Sequence, residues 1–298
     1  WLLNVSFIAP HFPLVAPQPY WEMYPPDEVD LPAVPPGHLA AQHPAIQRMR
    51  RMFGMPEDVT EELTRRGRAG YYGLITYLDD KIGRLLAALD ETGQRENTVV
   101  IYTSDHGEMA GEHGMWRKSN FYEHAARVPL VIAGPGLPHG RRVPEVVSLV
   151  DLIATLTDLG GATPITPLDG DSLLPLLAGH GGWKDEAFAE YLGHGVVRPM
   201  AMLRRGRHKL NYYLDERPEL FDLETDPGEL HDLAAEPKYA PLLDDLRARL
   251  LARWDPIVLE RRVRHSQRER LLIHAATAGA QAEEARQRWI TSGGTTRK

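Results

Sequence analysis

Cysteine is absent from all 298 residues. Disulfide staples and thiolate metal sites are therefore excluded, and the redox compartment cannot be read from thiols. No apolar run reaches the length of a membrane-spanning helix, so no membrane partner is expected. An excess of positive charge is also lacking. The 34 basic residues face 41 acidic ones, for a formal charge of -7, which argues against a dedicated nucleic-acid binder. No secretory leader is visible, and the chain opens at Trp1 rather than at Met. The opening run reads as a core strand with nothing before it, so the expectation is that an N-terminal part is missing. Repeats and low-complexity blocks are absent. What is present is 43% hydrophobic residues, enough for one sizeable core and a smaller satellite, with an ordinary 25% charged.

Residues 2–8 form a short apolar run that reads as a buried strand of a parallel sheet. Residues 13–56 are proline-rich and aperiodic, a long loop with one short helix around Ala45–Met52. From about Pro56 to Thr92 the pattern is helical. Tyr72, Ile75, Leu78, Ile82, Leu85 and Leu89 recur at three- and four-residue steps, and Gly93 fits the stop. Thr98–Thr103, Val128–Ala133 and Val146–Val150 read as strands, the last running into a helix at Asp151–Leu159. This alternation predicts an α/β fold with a mostly parallel sheet flanked by helices. Near Gly179–Trp183 the style changes. Ala187–Leu192, Pro199–Arg204, His208–Tyr213 and Glu219–Leu223 are short strand candidates, with Arg205-Gly206-Arg207 as a hairpin turn. Tyr239–Trp254 and Pro256–Gly279 read as helices, and the tail from Thr291 as frayed. The expected division is 1–180, an α/β catalytic portion, and 181–298, a small antiparallel α+β subdomain with helices.

The densest polar cluster runs from Ser104 to Lys118, directly after a strand. Ligands of open α/β sheets sit beyond the carboxyl ends of strands. Asp105 offers an oxygen to a hard cation and His106 a nitrogen beside it. Gly107, Gly111 and Gly114 allow tight turns, and Lys118 supplies a point charge for an anionic oxygen. A metal, a cation and an imidazole together suit an anionic ester. His11 follows the first strand between two prolines and shares that rim if the strands are neighbours. Each feature also has a plain reading. Asp-His-Gly is a common turn, and a loop histidine often only packs or caps. Glu108, Glu112, His113, Glu123 and His124 read as supporting or solvated groups. Asp79-Asp80 and Asp244-Asp245 read as solvated helix faces, and Arg204–Lys209 as the exposed end of a hairpin. Arg261–Arg270 reads as an exposed helix face, with a contact between copies as the alternative.

In combination these motifs resemble the central block of the sulfatases of the alkaline phosphatase superfamily. The residues are Ser104-Asp105-His106-Gly107-Glu108, Gly111-Glu112-His113-Gly114, Lys118 and Arg127-Val128-Pro129. Tyr77–Gly83 with Asn97-Thr98 resembles the lead-in, and Pro10-His11-Phe12-Pro13 with Pro17 the upstream histidine loop. Glu219–Glu229, ending at Leu233-Ala234, resembles the late strand-and-turn motif. The order spans nearly the whole chain. The resemblance implies an alkaline-phosphatase-like sheet, incomplete at its N-terminus. It implies Asp105 and His106 as metal ligands, with Ca2+ favoured and Mn2+ the alternative. It implies His11 and Lys118 as catalytic, substrate-binding groups on the sulfate, with His11 also assisting the leaving group. The family more often carries Asn where His106 stands, and an Asp-His pair occurs in choline-sulfatase-like and phosphonate-monoester-hydrolase-like members. Pro199–Met202 with Arg204-Arg205-Gly206, and Trp254-Asp255 with Ser266-Gln267-Arg268, resemble the choline sulfatase branch, whereas Glu112-His113-Gly114 departs from it.

The family's nucleophile is a Cys or Ser, converted to formylglycine, in a Cys/Ser-x-Pro-x-Arg motif. No proline here has Ser or Cys two positions before it. The expectation is a C-terminal portion of a sulfuric ester hydrolase that acts on a small sulfate ester and is inactive alone. A phosphonate monoester or phosphodiester hydrolase on the same scaffold is the second reading. A non-catalytic module that assembles through its C-terminal helices, as a homo-oligomer, is the third.

Overall fold

The computed structural model describes residues 1–55 and 59–291, with side chains left aside at 279–283 and 285–291. The sequence reading of a frayed tail falls on 292–298, outside the described residues. Helices α1 (Gln18–Trp21) and α2 (His38–Ala41) are single turns in the proline-rich stretch. Helix α3 (Pro44–Met52) starts on a proline, with the His43 ring accepting from Ala45 N at 3.1 Å, and buries Ile46 and Met49. Helix α4 (Glu61–Glu91) starts where Thr60 accepts from Leu63 N at 3.2 Å and Glu61 and Glu62 meet the positive end of the helix dipole. Strand β1 (Val100–Thr103), the turn α5 (Glu123–Ala126) and strand β2 (Leu130–Ala133) follow. Helices α6 (Val150–Leu159) and α7 (Leu174–Leu177) lead to strands β3 (Glu186–Tyr191), β4 (Met200–Arg205), β5 (His208–Tyr213) and β6 (Glu219–Asp222). Helices α8 (Ala240–Arg253) and α9 (Pro256–Thr291) close the order.

The α/β class holds, with sheets and helices as expected, but three strand readings are corrected. Residues 1–8 are exposed and pair with no strand among the described residues. A ladder needs a neighbour for its N–H and C=O groups, and β1 and β2 pair only with each other. That pairing is antiparallel, Val100 opposite Ala133 and Thr103 opposite Leu130, so no parallel ladder occurs among the described residues. The connection from Ser104 to Pro129 folds back on itself and returns the chain beside the strand it left. The third correction is Val146–Val150, which forms no strand. Asp151 instead gathers the Ser148 and Asp171 N–H groups at 2.8 and 2.9 Å and the Lys184 ammonium at 2.6 Å.

The four strands β3 to β6 form an antiparallel meander, with β4 and β5 closing at Arg205 opposite His208 around Gly206 at φ 53°. The main apolar cluster joins Ile46 and Met49 of α3, Met109, Met115, Phe121 and Tyr122 of the β1–β2 connection, and Met200, Met202, Tyr213 and Phe221 of the meander. Helix α4 buries its N-terminal half, including Gly70, Gly73, Leu74 and Leu78, while Ile75 and Leu85 of the expected stripe stay exposed. A Cβ on Gly70 would lie 2.2 Å from Leu14 O, so the small residues are what admit the 14–20 segment. The chain divides into two units, Trp1–Leu250 and Leu251–Lys298. No helix among the described residues is long and apolar enough to cross a membrane.

Candidate active site

The connection from β1 to β2 is fixed before any ligand is considered. Gly107 N donates to Ala125 O at 2.8 Å, and a Cβ there would lie 2.1 Å from His124 O, so only glycine lets the Asp105 segment lie on α5. Met109 N donates to Arg117 O and Gly111 N to Met115 O, both at 2.8 Å. The Glu108 carboxylate accepts from Ala110 N at 3.2 Å and from Arg117 N, which ties the two arms of this loop together. Arg68 of α4 reaches in and donates to Ala110 O at 3.0 Å and Glu112 Oε1 at 3.1 Å.

At the rim, Lys118 Nζ lies 2.6 Å from His11 Nε2, and the His11 and His106 rings are 6.1 Å apart. His11 Nδ1 lies 2.9 Å from Phe12 O, and His106 Nδ1 lies 2.8 Å from Gly107 O. A carbonyl only accepts, so each ring carries a proton on Nδ1, and in the neutral ring Nε2 is the atom with the lone pair. In His11 that lone pair accepts from the Lys118 ammonium. In His106, Nε2 faces Asp105 Oδ2 at 3.5 Å, while Oδ1 accepts from His106 N at 3.0 Å. Asp105 is 84% exposed and His106 29%. A carboxylate oxygen and an imidazole nitrogen side by side are an oxygen and a nitrogen donor that one cation can share, so the chemistry of this pair fits a divalent metal. Asp105 and His106 are two donors, and no cluster of three or more His, Cys, Asp or Glu residues with metal-site geometry occurs among the described residues. All four residues singled out in the sequence thus meet at one rim.

The supporting groups differ from their sequence reading. Lys209 is fully buried rather than at an exposed hairpin end. Its Nζ donates to Phe121 O at 2.6 Å and pairs with Glu123 at 3.0 Å and Glu229 at 2.5 Å. Glu123 N in turn donates to Glu229 Oε2 at 2.5 Å, and Arg204 Nη1 meets Glu123 Oε2 at 2.9 Å. Burial works against the ionised Glu123, but the Lys209 and Arg204 cations outweigh it and hold its carboxyl below the usual range. Burial pushes the Glu229 carboxyl up, with Lys209 opposing. His113 is buried, stacked on Tyr122 at 3.8 Å, with Nε2 on Gly228 O and Nδ1 on His38 Nε2, both at 2.9 Å. Burial, then the nearby His38, lowers its pKa to about 3. The late strand-and-turn motif therefore clamps the loop that carries Lys118. No period or spacing marked Lys209 or Glu229 for this. A lysine on the inward side of β5 was the one available signal.

A carboxylate–imidazole pair, an ammonium and a second imidazole at one loop-built rim are a donor set that can hold a cation and an anionic oxygen side by side. The sulfatase family model matches residues 1–162, and the model described as N-sulphoglucosamine sulphohydrolase, C-terminal, matches residues 111–255. The chain is 38% identical over 284 residues to a choline-sulfatase of Rhizobium meliloti, covering 93% of this chain and 55% of that protein. It is 34% identical to an arylsulfatase of Clostridium perfringens, covering 84% and 52%. The structure of a phosphonate monoester hydrolase of Agrobacterium radiobacter superposes with a TM-score of 0.75 at 33% identity, over 85% of this chain and 56% of that one. The chain belongs to the sulfatase family, within the alkaline phosphatase superfamily. It spans about half the length of the curated relatives it matches.

Proposed function

We propose that this chain supplies the anion-holding side of a sulfuric ester hydrolase site, with a choline-sulfatase-like member as the nearest branch. The reading rests on one contact, Lys118 Nζ at 2.6 Å from His11 Nε2, beside the Asp105–His106 pair. Lys118 shifts an N–H from His11 to a sulfate oxygen when the ester arrives, and orients it by charge. His11, released from that bond, takes up a proton at Nε2 from solvent and passes it to the departing alcohol oxygen as the S–O bond breaks. Asp105 and His106 hold a divalent cation, Ca2+ by resemblance and Mn2+ as the alternative beside an imidazole. Such a cation, when bound, offsets negative charge on the sulfate. No Cys/Ser-x-Pro-x-Arg run occurs in the 298 residues, so the formylglycine nucleophile and the remaining metal ligands are proposed to come from sequence upstream. The likeness to a phosphonate monoester hydrolase favours a second reading, attack at phosphorus on the same scaffold. Assembly of copies through α9 is a separate proposal, read out by sedimentation.

The test uses the complete gene product with 4-nitrophenyl sulfate and 4-nitrophenyl phenylphosphonate. Sulfate turnover that falls about 100-fold or more in Lys118→Ala and in His11→Ala supports the first reading. Faster turnover of the phosphonate selects the second, and no turnover of either leaves a non-catalytic module. The 298 residues alone are expected to bind Ca2+ weakly by calorimetry and to hydrolyse neither ester above a Lys118→Ala control.

A further inference from the structure

Arg117 precedes Lys118, and the proposed function makes no use of it. Its backbone sits at φ 73°, a left-handed conformation that L side chains rarely adopt. Its side chain is exposed, and its guanidinium lies over two aromatic faces, 4.6 Å from the Phe12 centroid and 5.4 Å from that of Phe53. No carboxylate among the described residues pairs with it. Phenylalanine faces hold a guanidinium by its π surface and offer its N–H edges no acceptor. Among the described residues no acceptor meets these N–H groups, so they are available to a ligand. The Lys118 ammonium lies 5.5 Å from the same Phe12 centroid, so one small molecule can touch both cations.

We infer that Arg117 recognises a second anionic group on the alcohol part of the ester, a carboxylate or another sulfate or phosphate. This rests on the reading that Lys118 and His11 hold the reacting group. The fork geometry of a guanidinium matches a planar or tetrahedral oxyanion through two N–H bonds. The same placement works against a quaternary ammonium. Among the described residues Phe12 and Phe53 are the rings that hold the cations of this rim, and Arg117 lies over both. The preferred substrate class is therefore a sulfate ester with an acidic alcohol.

The experiment compares the complete gene product with its Arg117→Gly and Arg117→Glu variants. Glycine suits φ 73°, so its effect does not come from added strain. The substrates are 4-carboxyphenyl sulfate and 4-carbamoylphenyl sulfate, which match in size and differ in charge. Arg117→Gly is expected to lower the ratio of their kcat/KM values, acid over amide, about 10- to 100-fold, and Arg117→Glu further. Calorimetry with the non-hydrolysable pair 4-sulfobenzoate and 4-carbamoylbenzenesulfonate reads the same ratio as affinities. An unchanged ratio, an equal fall for both members, or no binding of 4-sulfobenzoate overturns the inference. A changed affinity ratio without any turnover leaves it standing and removes the hydrolase reading instead.

Discussion

At the residue scale, the acidic and basic groups buried around the loop set opposite pH dependences. His113 takes a proton near pH 6.5 in the unfolded chain and only near 3 in the fold, because its ring is buried and lies beside His38, with the Gly228 O hydrogen bond opposing. Acid therefore favours the unfolded chain across that window, and the contribution is complete above it. The free energy of urea unfolding is expected to fall from pH 7 to pH 5 more steeply in the natural protein than in His113→Gln. Glu219 has the reverse sign. Burial raises its carboxyl to about 7, with Tyr213 Oη donating at 2.7 Å and opposing. Its contribution is present below about pH 4.5 and is lost as pH rises through 7. Glu219→Gln should stabilise the protein by about 1–3 kcal/mol at pH 8 and change little at pH 4.5, read as denaturation midpoints. Asp105, His106 and Lys118 were legible in sequence because they follow strand β1 or a glycine turn and carry distinctive chemistry, whereas His11 was found by its proline-flanked loop although the strand expected before it does not form. Lys209 was not, because a lysine beside arginines in a hairpin has the pattern of a solvated face, and only the carboxylates of Glu123 and Glu229 make its burial tolerable.

At the scale of elements, local chemistry announced what it controls and missed what depends on neighbours. Helix α3 and the meander strands lie within a residue of their expected bounds and helix α4 ends one residue before Thr92, because caps, turns and periodicity are local; the expected start of α4 at about Pro56 lies outside the described residues. The run at 2–8 failed for the opposite reason, since a strand exists only where another backbone pairs with it. The tie between loop and meander gives a quantitative expectation. Lys209→Met leaves Glu123 and Glu229 without their shared ammonium and should cost about 3–5 kcal/mol in denaturant unfolding, part of it recovered by adding Glu229→Gln. Gly107→Ala should act on the rim itself. Its Cβ would press on His124 O, so Asp105 and His106 must move, and calorimetric Ca2+ affinity of the complete gene product should drop with little change in helix content by circular dichroism.

At the scale of the molecule, apolar packing crosses the point where the sequence changes style. Met109, Met115 and Phe121 pack with Met200, Met202 and Phe221 in one cluster. A division at 180/181 is proposed on pattern, and residues 178–182 are exposed there, with Gly179 and Gly182 at positive φ. Limited proteolysis is expected to nick this segment first, with the two products separating on a denaturing gel and co-eluting on a native column. Products that part without denaturant would instead make the two portions independent. The Lys209 tie also bears on premature termination. A stop codon anywhere from 128 to 208 leaves His11, Asp105, His106 and Lys118 all encoded, yet removes the ammonium on which Phe121 O and Glu123 close. Scored by motif, such an allele keeps its whole anion rim; scored by what a ribosome delivers, it has lost the anchor that tensions the rim.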